Sequence, residues 1–248
     1  MGDVLLARIL KYLNGTLFLD DGYCFCVFFI KNYVGFYKLT LSQVSEQSGI
    51  SEEAILEFLT HLGFYRFDDF QTRLYQDVIL RMDQIRARMI GIDLQELVDR
   101  VHLENDGILD MIKGICHDIH QSKRVILVGA LYPMSISVEL QTDLITFGKE
   151  VIQYHSYDNE LTFEEGDYVI FISATGRAME NFLYQKQHLS LDNPQSLLIT
   201  QNQTYEKRMI TKKTLRVPGK FDSINFNYQI MTIFDLIRVI YYQTYQQI

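Results

Sequence analysis

The sequence predicts an α/β protein with an N-terminal all-α domain and a C-terminal doubly wound α/β domain built on a five-stranded parallel sheet. Residues 4–90 carry apolar side chains at the three- and four-residue spacing of helices, with no strand pattern between them. After Ser122, short apolar runs alternate with helical stretches, which is the order that builds a parallel sheet. We therefore expect the all-α domain over 1–78, a connecting helix over 79–108 and the α/β domain over 109–248.

Glycines separate the apolar-periodic stretches of the first domain. A left-handed residue at such a position would end one helix and release the next. The glycines in question are Gly22, Gly35, Gly49 and Gly63. From Arg81 to Leu109 the helical pattern continues but becomes rich in charge, which predicts a solvated connecting helix with a possible break at Gly91.

Five segments that alternate with helical stretches are the predicted strands of the second domain. Arg124–Gly129 is continuous, ends in glycine and leads into a helical stretch over Pro133–Phe147, as a buried parallel strand would. The other strand candidates are Val151–Tyr154, Tyr168–Ser173, Ser196–Thr200 and Thr214–Val217. Further helices are predicted near Ala178–His188 and Asn225–Tyr245.

Composition narrows the class of protein. Apolar residues make up 48% of the 248 residues, which is enough for a core in each domain, and the formal net charge of -8 argues against coating nucleic acid or anionic membrane. Any DNA binding must then be local. The longest apolar run, Tyr23–Ile30, is far shorter than the roughly 20 residues that span a bilayer. Cys24, Cys26 and Cys116 form neither a disulfide framework nor a zinc pattern, so we expect a cytoplasmic protein.

The segment Leu39–Phe58 has the pattern of a helix-turn-helix. A helix is followed by a turn at Gly49 and by a second helix with Ser51 at its N-cap, although Ala54 stands where a full capping box has Glu. Such a pair can place its second helix in a major groove, but many helix pairs with glycine turns bind nothing. The candidate DNA-binding residues are Lys38, Thr40, Ser42, Gln43, Ser51, His61 and Arg66.

The run from Thr40 to Phe70 resembles the N-terminal domain of the RpiR family of transcription regulators. The matching residues are Thr40, Gly49, Ile50, Ser51, Phe58, Leu62, Gly63, Phe64, Phe67 and Phe70. The resemblance implies an operator with two half-sites and a homodimer or tetramer.

The same run departs from the RpiR pattern in its charges. Ala54 and Glu57 replace a threonine and an arginine of the second helix, and Glu52 and Glu53 place acids where DNA phosphates would lie. The alternative is that this helix pair serves only packing or dimerisation.

Two loops of the α/β domain are candidates for ligand binding, because ligands bind beyond the carboxyl ends of parallel strands. They follow Val128 and Ile172. The second loop places Ser173, Thr175 and Gly176 before a helix, where hydroxyls, amides and the helix N-terminus can hold a phosphate. The alternative is a plain N-cap of the helix.

The second loop resembles the S-x-S-G-x-T signature of the sugar-isomerase (SIS) fold, the phosphosugar-binding module that accompanies the RpiR domain. Ser173, Thr175 and Gly176 match, whereas Ala178 replaces the usual threonine. The first loop agrees less well with the family's G-x-G-x-S, since Leu131 and Pro133 replace its second glycine and its serine. Ser135 or Ser137 is a substitute hydroxyl, and Thr200-Gln201-Asn202 is a further pocket wall. The resemblance implies a phosphorylated sugar as effector, with Gly129, Ser135, Ser173, Thr175 and Gly176 as ligand-binding residues.

These features together predict a DNA-binding regulator of carbohydrate metabolism that senses a phosphosugar without catalysis, cofactor or metal. One alternative is a two-domain interaction protein that has lost DNA or ligand binding, for which Glu57, Leu131 and Pro133 argue. The other is a phosphosugar isomerase, for which the base candidates are Glu139, Glu180 and His188.

Overall fold

The structure is a computed structural model, and it describes residues 4–100, 107–130, 132–154, 161–219 and 223–246. These residues form two compact units. The first comprises residues up to 90 together with 142–150, and the second comprises 91–141 and the residues from 151 onward. No helix within the described ranges is long and apolar enough to cross a membrane.

The first unit is helical, as predicted. Its helices are α1 (Leu5–Gly15), α2 (Asp21–Asn32), α3 (Leu41–Ser48), α4 (Glu52–His61) and α5 (Phe67–Met89), with a short 3-10 turn at Phe36–Lys38 between α2 and α3. Their apolar faces meet around four fully buried phenylalanines. The rings of Phe25, Phe29, Phe36 and Phe70 lie with centroids 4.9–6.2 Å apart, so one aromatic cluster joins α2, the 3-10 turn and α5.

Three of the four glycines lie between helical segments as predicted, but only two of these three have the left-handed conformation. Gly49 (φ 75°) and Gly63 (φ 90°) have the left-handed conformation that follows a helix end. Gly35 is right-handed, with φ -106°. Gly22 lies inside α2, where an added Cβ would be 2.8 Å from Tyr12 Oη and 2.9 Å from Phe58 Cδ2. Gly22 is therefore present because α1 and α4 approach α2 closely, and not because a helix ends there.

The predicted solvated connecting helix over 79–108 is also corrected. Helix α5 runs from Phe67 to Met89 without interruption, and Arg81, Ile85 and Met89 are buried. The break at Gly91 is confirmed by its φ of 74°. A separate helix, α6 (Leu94–Arg100), follows it, and the predicted segment over 101–106 lies outside the described residues.

Buried charges join the helices of the first unit. The Arg81 guanidinium donates to the Asp143 carboxylate in the segment 142–150, and their side chains are only 8% and 0% exposed. One turn earlier on α5, buried Asp77 accepts from the backbone N–H of Leu5 and pairs with Arg73 at 3.0 Å. Such pairs fix geometry, because the loss of one partner leaves a buried charge without compensation.

The second unit has alternating helices and strands. After α6 they are α7 (Ile108–Gln121), β1 (Arg124–Gly129), α8 (Tyr132–Thr146), β2 (Glu150–Gln153), β3 (Asp167–Ile172), α9 (Arg177–Gln185), β4 (Gln195–Thr200), α10 (Thr204–Arg208), β5 (Lys213–Arg216) and α11 (Ser223–Tyr245). The last turn of α8 and residue 150 group with the first unit. The bounds of β1 are as predicted, and those of the other four strands differ from the predicted ones by one residue. Helix α10 was not predicted.

The five strands form one parallel sheet in the order β2-β1-β3-β4-β5, which confirms the predicted fold class. β1 pairs with β3 from Arg124 opposite Asp167 to Gly129 opposite Ile172. All six residues of β3 are buried, although alternate residues point to opposite faces, so both faces of the sheet are covered. The carboxyl ends of β1, β3, β4 and β5 consequently lie along one edge.

Replacing Gly22 with alanine tests the close approach of the helices. Gly22→Ala is expected to lower the free energy of unfolding by about 1–2 kcal/mol, because overpacking against the Phe58 ring outweighs the better helix propensity of alanine. Urea unfolding followed by circular dichroism measures the change. The control is Gly15→Ala, since a Cβ at Gly15 would meet nothing within 4 Å. Equal stability of the two variants would contradict the explanation.

Candidate functional site

The candidate site lies where the order of the strands reverses. The chain runs from β1 outward to β2 and then returns past β1 to β3, so the loops after β1 and β3 diverge from two neighbouring strands. Ligands of doubly wound proteins bind at this switch point. Gly129 ends β1 and Ile172, opposite it, ends β3, so both predicted ligand loops begin at this position.

The loop after β3 presents two hydroxyl groups at the N-terminus of α9. Ser173 Oγ accepts a hydrogen bond from the Ala178 backbone N–H at 3.2 Å, and Thr175 Oγ1 accepts one from the Arg177 N–H at 3.3 Å. Each oxygen is thus held by an amide, which leaves the hydroxyl hydrogen to donate. Within the described residues neither hydroxyl donates to a protein acceptor. The two side chains thus bond the first two amides of α9, whose N-cap residue is Gly176, and also form a pair of oriented donors.

Hydrogen bonds from β4 and the loop that follows it hold this β3 loop in place. Ala174 O accepts from Thr200 Oγ1 at 2.9 Å and from the Gln201 N–H at 3.0 Å, and Thr175 O accepts from Asn202 Nδ2 at 3.0 Å. The predicted pocket wall over 200–202 therefore supports the loop. A site whose loop is already fixed has less ordering entropy to lose when a ligand binds.

Gly176 is required by its conformation and by its neighbour. Its φ is +81°, and an added Cβ would lie 2.1 Å from Cε2 of Tyr205, whose ring is buried over the glycine. Tyr205 belongs to α10, so this short helix closes one side of the loop. A glycine in a loop before a helix suggests a positive φ. Nothing local in the sequence identifies Tyr205 as the aromatic residue that packs against it.

Tyr205 also belongs to a small charged cluster. Burial and a hydrogen bond to Glu180 raise the pKa of Tyr205 to about 12. The same hydrogen bond, followed by one from Arg208, holds the pKa of Glu180 below its ordinary value. Arg208 also lies 5.3 Å from the centre of the Tyr205 ring. Glu180 is therefore ionised and engaged at neutral pH.

In the loop after β1, a methionine side chain fills the space beside the glycine. A Cβ at Gly129 would lie 2.9 Å from Met134 Sδ and 3.1 Å from Ile172 O, so the Met134 side chain covers the glycine. The structure thus places Gly129, a predicted ligand-binding residue, beneath this side chain. Ser135 is exposed in the first turn of α8, and no hydrogen bond joins it to the β3 loop among the described residues. Leu131, predicted to narrow this loop, lies outside the described residues.

The predicted DNA-binding residues of the first unit are largely occupied by local structure. Thr40 and Gln43 form a reciprocal capping box on α3, with bonds of 2.9 and 3.2 Å. Ser51 caps α4 through Ala54 N at 3.2 Å. These three side chains stabilise helix ends, and their exposure does not by itself indicate DNA binding.

The remaining DNA-binding candidates are exposed at separate positions. The Arg66 guanidinium lies 3.2 Å from the Asp68 carboxylate, and the Lys38 ammonium lies 5.5 Å from the centre of the Tyr37 ring. Ser42 is exposed on α3. Among the described residues, Thr40 and Gln43 are the only two predicted DNA-binding residues that interact with each other.

His61 lines a cavity of about 480 Å³ beside α4. The lining residues are Tyr12, Asp20, Asp21, Gly22, Ala54, Glu57, Phe58, His61 and Leu62. Its three carboxylates give this side of α4 an acidic surface, which repels phosphates. The described residues contain no group of three side chains arranged to hold a metal ion.

The fold and loop define a doubly wound α/β unit with a hydroxyl-bearing loop at its switch point, in a chain that also contains a helical unit. No protein-family model matches the sequence, and no curated protein matches it. Among solved structures, the chain is similar to the Vibrio vulnificus NanR protein complexed with ManNAc-6P, with 14% identity, a TM-score of 0.47 and coverage of 98% of this chain and 92% of that one.

Two further structures match the chain over a shorter stretch. E. coli CFT073 c3406, solved as a complex, is 13% identical, with a TM-score of 0.47 and coverage of 69% of this chain and 93% of that chain. A hypothetical protein from Methanococcus jannaschii, whose structure infers a 3-hexulose-6-phosphate isomerase function, is 12% identical, with a TM-score of 0.47 and coverage of 68% and 92%.

Removing the Tyr205 hydroxyl tests the electrostatics of the site. Tyr205→Phe keeps the ring over Gly176 but removes the hydrogen bond to Glu180, so the pKa of Glu180 is expected to rise towards its ordinary value. The ionised Glu180 carboxylate stabilises the folded protein at pH values above the pKa that Glu180 has in the unfolded chain. This stabilisation is lost as the pH falls through the pKa of Glu180 in the folded protein.

A pH titration of the side-chain carboxyl carbons by NMR measures this shift. Tyr184→Phe, on the same helix as Glu180 and 78% exposed, is the matched control and should leave the titration unchanged. An unshifted Glu180 midpoint in Tyr205→Phe would show that the hydroxyl does not act on the carboxylate.

Proposed function

We propose that this protein is a ligand-responsive regulator whose α/β unit, of the SIS type, binds a phosphorylated sugar and whose helix-turn-helix unit delivers the output. The observation that carries the proposal is the pair of hydroxyls on Ser173 and Thr175, each held by an amide of α9 at the switch point of the sheet. The sugar as the carrier of the phosphate comes from the resemblance of this loop to the SIS signature.

The loop has the chemistry to bind a phosphate monoester. The two hydroxyl hydrogens are donors, and the N-terminus of the nine-residue helix α9 contributes the positive end of its dipole. Arg177, exposed in the first turn of α9, adds a full positive charge beside the loop. Hydrogen bonds to a charged group contribute about 1.5–3 kcal/mol each, so two hydroxyls are sufficient to influence the affinity strongly.

The interactions and positions of the three candidate catalytic bases favour sensing over catalysis. Glu180 is engaged by Tyr205 and Arg208, and its lowered pKa makes it a weak proton acceptor. Glu139 pairs with Arg238 at 3.3 Å. His188 lies beyond the C-terminal end of α9, whereas the hydroxyl loop precedes the N-terminal end of the same helix. We therefore infer that the bound sugar is an effector and not a substrate.

DNA binding is the second candidate function, and it would be the function of the first unit. It is favoured by the geometry of α3, the left-handed Gly49 and α4, which follows the order of a helix-turn-helix. The acidic surface of α4 opposes it, so Glu52, Glu53 and Glu57 would have to lie away from the phosphates.

Removing the two hydroxyls tests phosphosugar binding. In Ser173→Ala/Thr175→Ala, the rise in melting temperature that hexose 6-phosphates cause in the unchanged protein should be lost, and the affinity measured by calorimetry should fall by at least about tenfold. The unliganded variant will also be less stable, because two side-chain hydrogen bonds to first-turn amides of α9 are removed.

The control for that loss of caps is Thr40→Ala/Ser51→Ala, which removes two N-caps from the helical unit and should leave the ligand response intact. A response that is the same in the loop variant and the unchanged protein would remove these hydroxyls from the site. Inorganic phosphate in a parallel titration separates recognition of the phosphate from recognition of the sugar.

Neutralising the acids of α4 tests DNA binding. If α4 faces DNA, then Glu52→Gln/Glu53→Gln/Glu57→Gln should tighten binding to duplex DNA at low salt on the order of tenfold, as fluorescence anisotropy would measure. Asp110→Asn/Glu165→Gln/Asp192→Asn removes as many exposed acids from the second unit and is the control for net charge. Equal effects of the two triple variants would argue that DNA responds to total charge and not to α4.

A further inference from the structure

Helix α5 carries a second line of residues that is apolar at its centre and exposed over most of its length. It consists of Asp68, Thr72, Tyr75, Ile79, Met82 and Arg86, which we call the α5 seam. The Tyr75 ring lies 5.1 Å from the Tyr37 ring, so one side of it is in contact within the first unit. Their spacing of four, three, four, three and four residues is that of a coiled-coil contact line. A different side of the helix, about 100° around from the α5 seam, packs into the first unit through Leu74 and Ile85, which are buried.

The centre of the α5 seam is apolar and open to solvent. Tyr75 is 49% and Ile79 47% exposed, and Met82 is half-buried beside them. A surface helix with one buried stripe ordinarily carries polar residues on its other side. Two adjoining exposed apolar side chains in the middle of a 23-residue helix therefore indicate a contact surface.

The ends of the α5 seam carry opposite charges. Exposed Asp68 lies in the first turn of α5, and exposed Arg86 lies in the last turn. The Asp68 carboxylate lies 3.2 Å from Arg66, but both side chains are more than 70% exposed, so this surface pair contributes little and leaves the carboxylate open to a second cation.

We propose that the α5 seam pairs with the α5 seam of a second copy of this chain in antiparallel orientation. About a twofold axis level with residue 77, Asp68 of each copy faces Arg86 of the other. Tyr75 then faces Ile79, and Thr72 faces Met82. Apolar residues thus meet at the centre and opposite charges meet at both ends, whereas parallel pairing would bring Asp68 to Asp68 and Arg86 to Arg86.

The size of the α5 seam limits the strength of this contact. From residue 68 to residue 86 the helix rises about 27 Å. A single helix pair of this length falls at the low end of specific interfaces, so the dimer should dissociate on dilution. The contact lies in the first unit and involves no residue of the hydroxyl loop, so its test is independent of ligand binding.

Substitution of Ile79 tests the contact. Ile79→Asp places a carboxylate against the partner's Tyr75 and is expected to weaken dimerisation at least about tenfold in sedimentation equilibrium of the full chain. Leu80→Asp is the matched control, because Leu80 is exposed to a similar degree, 41%, but lies about 100° around the helix from Ile79. Dimers that are unaffected by Ile79→Asp, or a monomeric unchanged protein, would overturn the proposal. Far-ultraviolet circular dichroism shows that each variant remains folded.

A charge exchange tests the antiparallel orientation. Asp68→Arg and Arg86→Asp should each weaken the dimer, because each brings like charges together at both ends. The double variant Asp68→Arg/Arg86→Asp should restore it. An equimolar mixture of the two single variants should also restore it, because opposite charges then meet at both ends of the mixed dimer. Each substitution opposes the helix dipole, so the double variant is less stable than either single variant if no dimer forms. Failure of the double variant to recover dimerisation would exclude this orientation.

Discussion

The parallel direction of all five strands is the constraint on which the candidate site depends. Parallel strands cannot be joined by tight turns, so a helix or long connection returns the chain to the starting edge each time. Every loop that follows a strand consequently begins at the other edge. The Ser173 and Thr175 hydroxyls owe their support to this arrangement, because the loop after β4 is close enough to bind the carbonyls of Ala174 and Thr175.

Sequence reasoning succeeded where the signal is local and repeated. Strands β1 and β3 are apolar runs that begin at a charged residue, and the complete burial of β3 explains why its run does not alternate. The hydroxyl loop could likewise be located, because Ser173, Thr175 and Gly176 occur together before a helix. Cap assignments such as that of Ser51 depend on neighbours within three residues, which the sequence displays directly.

The contacts that the sequence did not reveal join distant parts of the chain. Tyr205 on Gly176 and Met134 on Gly129 are packing contacts, and no periodicity announces which aromatic or thioether will fill a given space. The predicted helix end at Gly22 was wrong for the same reason. The missing side chain of Gly22 makes room for neighbouring helices, whereas a turn is the commoner explanation for a glycine. Charge patterning over 81–89 also misled, because Arg81 is charged and nevertheless buried against Asp143.

The position of Asp143 has a consequence for dissecting the protein into fragments. Residues 142–150 group with the helical unit although a long stretch of chain separates them from its last helix. A fragment ending at Ile90 would retain Arg81 in an apolar setting without its counterion. The complementary fragment would carry Leu144 and Ile145, fully buried in the whole chain, with nothing of the helical unit to cover them. No single cut in the chain therefore separates the two units. Either unit expressed alone would require a redesigned surface.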